Sequence, residues 1–218
     1  MQYSTFAAID IGSYDVILEI FEISKKQGIR SVDKICHRME LGKDTYTLGK
    51  IRPEMEEELC RVLADFVRIM EGYRVDDYRA TASSAISEAS NSLYVLGKIH
   101  QLTGLSVTVL SNSEQRFLSY KALAAMEDNF NKIIEKGTAI LDLDGGSFQI
   151  SLFDKDALVT TQNIRMGSLR IRERLAGIQS ETEHYEEMVE ELIWNEVSSF
   201  KKMYLKDRKI ENIMLIGD

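Results

Sequence analysis

Two short segments of this chain combine an acid, a glycine turn and a hydroxyl at the end of an apolar run. The first is Ala7-Ala8-Ile9-Asp10-Ile11-Gly12-Ser13. The second is Ala139-Ile140-Leu141-Asp142-Leu143-Asp144-Gly145-Gly146-Ser147. Each reads as a buried strand, an Asp at its polar end, a tight turn and the start of another strand. The chemistry this permits is phosphate binding. Gly12 lets the backbone approach a phosphate, and Ser13 offers a hydroxyl and an N–H; Gly145, Gly146 and Ser147 repeat the arrangement. Asp10 and Asp142 alone would repel phosphate. A divalent cation between carboxylate and phosphate, bound directly or through water, reverses that sign. One such segment is weak evidence, because an ordinary hairpin with a polar strand end looks the same. Two of them, each opening a domain-sized half, imply a two-lobed protein with a phosphate or metal-phosphate in the cleft.

Strands must precede and follow both turns to hold them. Runs rich in Val, Ile and Phe at 6–11, 16–23 and 30–39 predict a three-stranded meander. A helix is expected over 53–73, where Met55, Leu59, Val62, Phe66, Ile69 and Tyr73 fall three or four apart. Cys60 in this pattern reads as a buried free thiol. Pro53 suits the first helical position, and Glu54, Glu56, Glu57 and Glu58 suit the positive end of the dipole. A strand at 78–82 leads to Ser83-Ser84 as a helix cap. The helix that follows, 85–102, is expected to bury Ala89, Leu93, Leu96 and Ile99 before Gly104 stops it. After a strand at 106–110, one long helix from Ser113 to about Glu135 is the expected connection between lobes.

The second half repeats the order. Strands fall at 138–143, 148–153, 158–165 and 212–216, and a short helix begins near Ser168. A long helix is expected from Ser180, with Glu183 completing a capping box. It points Tyr185, Met188, Leu192, Val197, Phe200 and Met203 inward, and Trp194 is read as packing. The expected domains are 1–125 and 126–218, both α/β, the second reading as broken off after its last strand.

In this order of pieces the chain resembles the exopolyphosphatase / guanosine pentaphosphate phosphatase (Ppx/GppA) family, over essentially its whole length. The resemblance is carried by Ala8-Ile9-Asp10-Ile11-Gly12-Ser13 and by Ala80-Thr81-Ala82-Ser83-Ser84-Ala85-Ile86. It continues with Leu110-Ser111 and the helix after it, with Asp142 to Ser147, and with Met166-Gly167-Ser168-Leu169-Arg170. It implies the actin-like ATPase (ribonuclease H-like) fold in duplicated lobes. It also implies Mg2+-dependent hydrolysis of the terminal phosphoric anhydride of polyphosphate or a guanosine polyphosphate. Phosphate contacts would fall at Gly12, Ser13, Gly145, Gly146 and Ser147, and metal contacts at Asp10 and Asp142.

The match breaks close to the chemistry. The family reads Asp-x-Gly-Gly-Gly-Ser-Thr-Glu; here Asp144, Phe148 and Gln149 replace Gly, Thr and Glu. Two like charges about 4 Å apart repel by about 4 kcal/mol at an effective dielectric of about 20. With a metal, Asp144 becomes a ligand; without one, it is expected to point to solvent. Beside the first turn, Asp15 adds an acid and Ile17 stands where the family has a cation. Ser87 replaces a phosphate-gripping Arg, and serine cannot form a planar bidentate grip. The family's helix reads Ser-Gly-x-Glu-Glu-Ala-Arg-Leu, and the Glu before Ala-Arg deprotonates the attacking water. Without gaps that position is Gln115, the Arg falls on Phe117, and Tyr120-Lys121-Ala122 meets the family's Tyr-x-Gly. A one-residue deletion would instead put Glu114 and Arg116 on Glu and Arg. Neutral glutamine accepts no proton at useful pH, and losing a general base costs about 10²–10⁴-fold. Three functions therefore stay open: a weakened hydrolase, a non-catalytic phosphate- or nucleotide-binding relative, and an actin-like ATPase or kinase fragment.

The net charge of −8 argues against non-specific nucleic-acid binding, which needs a basic surface. Arg165, Arg170, Arg172 and Arg174 are the one basic cluster and read as a solvated helix face. The three histidines are scattered and receive no role. No basic segment followed by an apolar stretch opens the chain, and no apolar run reaches the about 18 residues a membrane span needs. The expectation is a cytoplasmic protein without a membrane partner, and a homodimer is one assembly it could form.

Overall fold

The computed structural model describes residues 3–126, 129–179, 184–206 and 208–217. Its contacts divide the chain into two units, Met1–Ser111 and Asn112–Asp218. The division falls ahead of the expected 125/126 boundary, because the helix expected to link the lobes packs with the second unit.

The first unit runs β1 (Ser4–Ile11), β2 (Asp15–Ser24), β3 (Gly28–Arg38), α1 (Leu41–Leu48), α2 (Pro53–Gly72), β4 (Asp77–Ala82), α3 (Ser84–Ser87), α4 (Ser92–Thr103) and β5 (Val107–Val109). Its sheet has the order β3-β2-β1-β4-β5. Alternation along β1 and β2 sends Ala7, Ile9, Ile11, Val16, Leu18 and Ile20 into one core. The stripe of α2, with Leu59, Val62, Leu63 and Phe66, closes over it. Cys60 is buried beside that stripe as expected.

Helix α1 was not legible in the sequence. It buries Asp44 and Thr45 alongside Leu41, so its inward face is half polar and shows no apolar period. The single helix expected over 85–102 is two helices, α3 and α4. The break resets the helical phase, leaving Leu93 86% exposed while Val95 and Ile99 bury. Ser83 does stand at the N-cap of α3, but its side chain makes no capping bond.

The second unit runs α5 (Asn112–Met126), α6 (Phe130–Ile134), β6 (Thr138–Leu143), β7 (Phe148–Asp154), β8 (Ala157–Ile164), α7 (Ser168–Gln179), α8 (Tyr185–Tyr204) and β9 (Asn212–Gly217). The sheet order is β8-β7-β6-β9. One cluster gathers Phe148, Ile150 and Leu152 with Phe200 of α8. Another gathers Ile140 and Phe153 with Phe130 and Ile134 of α6. The long helix expected from Ser113 to about Glu135 is thus two helices, α5 and α6. The expected capping box of Ser180 and Glu183 lies outside the described residues. Trp194 is not a packing residue: it is 58% exposed, and Met203 is exposed as well.

Both units place their acid-glycine turn alike. β1 is antiparallel to β2 and parallel to β4, so Asp10 sits between Ile17 and Thr81. β6 is antiparallel to β7 and parallel to β9, so Asp142 sits between Gln149 and Ile216. The repeated motif in the sequence is a repeated position in two sheets.

Candidate functional site

At the first turn, β1 delivers Asp10 exposed at the strand end, with Thr81 Oγ1 3.4 Å from its Oδ1. The Gly12 N–H donates to the Asp15 carbonyl at 2.9 Å and closes the turn. A Cβ at Gly12 would stand 3.0 Å from that same carbonyl oxygen, so the closure is tight for any side chain. Ser13 is 1% exposed. Its Oγ lies 2.7 Å from the Tyr46 hydroxyl and 3.1 Å from Ser84 Oγ, and those two are 2.9 Å apart. Two of the groups expected to meet phosphate, the Gly12 N–H and the Ser13 hydroxyl, are therefore engaged inside the unit. Ser87 is exposed on α3.

The second turn is more heavily tied down. The Asp144 N–H donates to the Ser147 carbonyl at 3.0 Å. At the start of α7, the Ser168 N–H donates to the Asp144 carbonyl, and the N–H groups of Leu169 and Arg170 donate to the Gly145 carbonyl. This docking explains Gly167: a Cβ there would meet the Asp144 carbonyl oxygen at 2.2 Å and the Ser147 nitrogen at 2.4 Å. Asn163 Nδ2 donates to Ser147 Oγ at 3.2 Å. Asp144 is half-buried and does not simply point to solvent. Its Oδ1 accepts the Gly145 N–H at 2.6 Å. The side chain is short enough to reach the next amide, and a charge-assisted bond outweighs full hydration. The carboxylate thus occupies the Gly145 amide, one of the groups expected from the sequence to meet phosphate.

The arginine cluster is not a uniformly solvated face either. Arg170 Nε donates to the Gly146 carbonyl at 2.8 Å, which brings a cation to the turn. Arg172 pairs with Glu173 at 2.9 Å.

Helix α5 meets the same strand end. Ser119 Oγ donates to Asp142 Oδ2 at 3.3 Å. At about 100° per residue, Gln115 lies about 40° around the helix from Ser119, and Glu114 about 140° away. Gln115 is accordingly half-buried and Glu114 exposed. Arg116 turns to Thr161 Oγ1 and Ser113 Oγ, each at 3.2 Å. Phe117, at the family's Arg position in the ungapped alignment, is exposed. Tyr120 packs edge-on against Phe153, and burial pushes its phenol above the ordinary value.

Among the described residues, no group of three or more His, Cys, Asp or Glu side chains converges as a metal cage. Each turn instead has one strand-end carboxylate with a hydroxyl beside it: Thr81 at Asp10, Ser119 at Asp142. That donor set fits Mg2+, which keeps several waters and takes one or two carboxylates plus phosphate oxygens. Asp10 in the first unit and Asp142 in the second are each the residue that would hold such an ion at its own turn.

Sequence reasoning missed Tyr46, Ser119 and Asn163, and missed that Arg170 serves the turn. Arg170 carried a signal, since it stands in one of the motifs behind the resemblance. Tyr46 carried none, because α1 has no readable period.

Two α/β units of one repeated design, each with an acid-glycine-serine hairpin at its centre, define the actin-like ATPase fold. An Aquifex aeolicus Ppx/GppA family member has that fold too: it superposes with a TM-score of 0.73 at 22% identity, covering 100% of this chain and 67% of that one. The model of the Ppx/GppA phosphatase family matches residues 19–217, and the chain belongs to that family. It is 22% identical over 174 residues to a bifunctional 3-dehydroquinate synthase/phosphatase of Fusobacterium nucleatum, covering 77% of this chain and 26% of that protein. It is 25% identical over 144 residues to exopolyphosphatase 1 of Mycobacterium leprae, covering 66% of this chain and 41% of that protein. The chain thus spans less than half the length of these curated relatives.

Proposed function

We propose that this chain carries out a slow, Mg2+-dependent hydrolysis of terminal phosphoric anhydrides in polyphosphate or a guanosine polyphosphate. The family supplies the reaction class, and the two acid-glycine-serine turns supply matching groups. An ion at either turn would offset the charge of that turn's strand-end carboxylate and of the phosphoryl oxygens. The Arg170 guanidinium and the main chain of the turns would orient the anion.

The observation that carries the reduced rate is the Ser119–Asp142 contact. It fixes the rotation of α5 so that Gln115 shares the Asp142 face and Glu114 does not. A glutamine amide orients water but takes no proton from it, so the attacking water lacks its base. The same observation favours a second reading, a non-catalytic relative that binds phosphate or a nucleotide. Cytoplasmic location and homodimeric assembly remain expectations within this proposal; no helix among the described residues is long and apolar enough to cross a membrane.

The deciding experiment measures phosphate release from polyphosphate and from guanosine pentaphosphate with Mg2+. Slow release by wild type, loss in Asp10→Ala and a gain in Gln115→Glu are expected. Binding without release, unchanged in Gln115→Glu, would favour the non-catalytic reading. Robust turnover that survives Gln115→Ala but collapses in Glu114→Gln would overturn the assignment and make Glu114 the base.

A further inference from the structure

The hydroxyls of Ser13, Tyr46 and Ser84 form a closed triangle with sides of 2.7, 2.9 and 3.1 Å. Each hydroxyl can donate once and accept from the next, so the ring satisfies all three members without a solvent partner. The three residues come from three elements of the first unit: the β1–β2 turn, α1 and α3. The frame around the ring is tied at several further points. The Gly42 N–H donates to the Ser13 carbonyl at 2.9 Å, and the Met39 and Glu40 N–H groups donate to the Tyr14 carbonyl at 3.0 Å. Thr45 Oγ1 donates to the Ala85 carbonyl at 2.7 Å. The buried Asp44 carboxylate accepts the Arg52 main-chain N–H and its Nε–H, which pins α1 to the start of α2.

We infer that Tyr46 is a positioning residue of the first turn. Its hydroxyl holds the Ser13 side chain inward against α3, so an anion meets this turn through main-chain N–H groups other than that of Gly12, which already donates to Asp15, and not through the serine hydroxyl. The inference rests on the reading of this turn as a phosphate site and changes how the site works. To donate to phosphate, the Ser13 hydroxyl would have to accept from both Tyr46 and Ser84, which breaks the 2.9 Å contact between those two, and it would have to reach out from a position only 1% exposed. A hydroxyl that stays in the ring fixes the direction of the Ser13 main chain instead. Tyr46 reaches the turn from α1 because a phenol extends its hydroxyl well beyond the reach of a serine or threonine at the same position.

The test is a double-mutant cycle on Tyr46→Phe, Ser13→Ala and the pair, read two ways. Inorganic pyrophosphate binding with Mg2+ is measured by calorimetry well below the unfolding transition, where a contact that only stabilises the fold leaves affinity unchanged. Urea unfolding is measured on the same four proteins. Each single substitution is expected to weaken pyrophosphate binding about 3–10-fold, the range of one net hydrogen bond. The double variant is expected to be no weaker than the worse single one, because both remove the same bond. The unfolding cycle should show the same non-additivity. A loss in Ser13→Ala with none in Tyr46→Phe would overturn the inference and make the Ser13 hydroxyl a direct ligand. Additive effects in unfolding would show that the ring does not couple the two residues, and would overturn it too. If wild type binds no pyrophosphate, the phosphate reading of the turn falls and the positioning role with it, while the unfolding cycle still decides whether Tyr46 holds Ser13.

Discussion

At the scale of single residues, the second turn is set by Asp144. Its carboxylate accepts the Gly145 N–H at 2.6 Å and adds a negative charge where the family has glycine. Replacing it frees one amide and removes one repulsion. Asp144→Gly is expected to tighten pyrophosphate binding about tenfold or more, since bonds to charged groups are worth about 1.5–3 kcal/mol. Asp144→Asn separates the causes, because it keeps an acceptor for Gly145 and removes only the charge. Calorimetry in the presence and absence of Mg2+ reads both variants. A weaker Mg2+-dependent affinity in Asp144→Gly would instead make the carboxylate a metal ligand. Ser83 offers a second test. Its hydroxyl is buried without a hydrogen-bond partner among the described residues, at the start of α3. Ser83→Ala is expected to leave stability unchanged or raise it by about 1 kcal/mol, because burying an unbonded hydroxyl is costly. A clear loss in chemical denaturation would show that the hydroxyl has a partner in solution.

At the scale of elements, strands were legible and helices less so. The strand runs of both halves fall within a residue or two of β1 to β9, because alternation and turn residues specify each hairpin locally. The helical errors have local causes as well. α1 buries an acid and a threonine, and α3 and α4 are separated by a break that no proline or glycine announces. The acid-glycine-serine turns could be read directly, but their hydrogen-bond partners could not. Tyr46, Asn163 and Ser119 reach the turns from elements whose approach only the tertiary fold determines. The docking of α7 on the second turn is the clearest case, and it gives a prediction. Gly167→Ala would put a Cβ within 2.2 Å of a main-chain oxygen that cannot move without breaking the Ser168 N–H bond. Overpacking of this kind costs about 1–3 kcal/mol. The measurement is urea unfolding, accompanied by loss of pyrophosphate binding at the displaced turn. Native stability in Gly167→Ala would mean that α7 does not dock as described. On α2, burial pushes the Cys60 thiol above its usual range, with Lys98 pulling weakly the other way. Folding therefore favours the neutral thiol: this contribution is present below the unfolded pKa and is lost as pH rises through the folded one. In a thiol-labelling time course at mildly alkaline pH, the exposed Cys36 should react fast and Cys60 only as the protein unfolds.

At the scale of the whole molecule, the chain is two repeats of one design with separate apolar clusters. The first unit's core draws its residues from positions 7–105. The second unit's two clusters draw theirs from positions 130–200. A buried side chain therefore stabilises its own unit first, since the cluster it packs in belongs to that unit. Leu63 is fully buried in the first core and Leu152 nearly so in the second. Leu63→Ala and Leu152→Ala are each expected to cost about 2–5 kcal/mol, through lost transfer free energy and a residual cavity. Their effects on amide exchange should differ in place. Leu63→Ala should lower protection chiefly in residues 3–111 and Leu152→Ala chiefly in residues 112–217, because sub-global opening follows contiguous packed units. Exchange read by mass spectrometry on both variants distinguishes this from a single cooperative body. Equal loss of protection across the whole chain in either variant would show that the repeats unfold together and that the units share one transition.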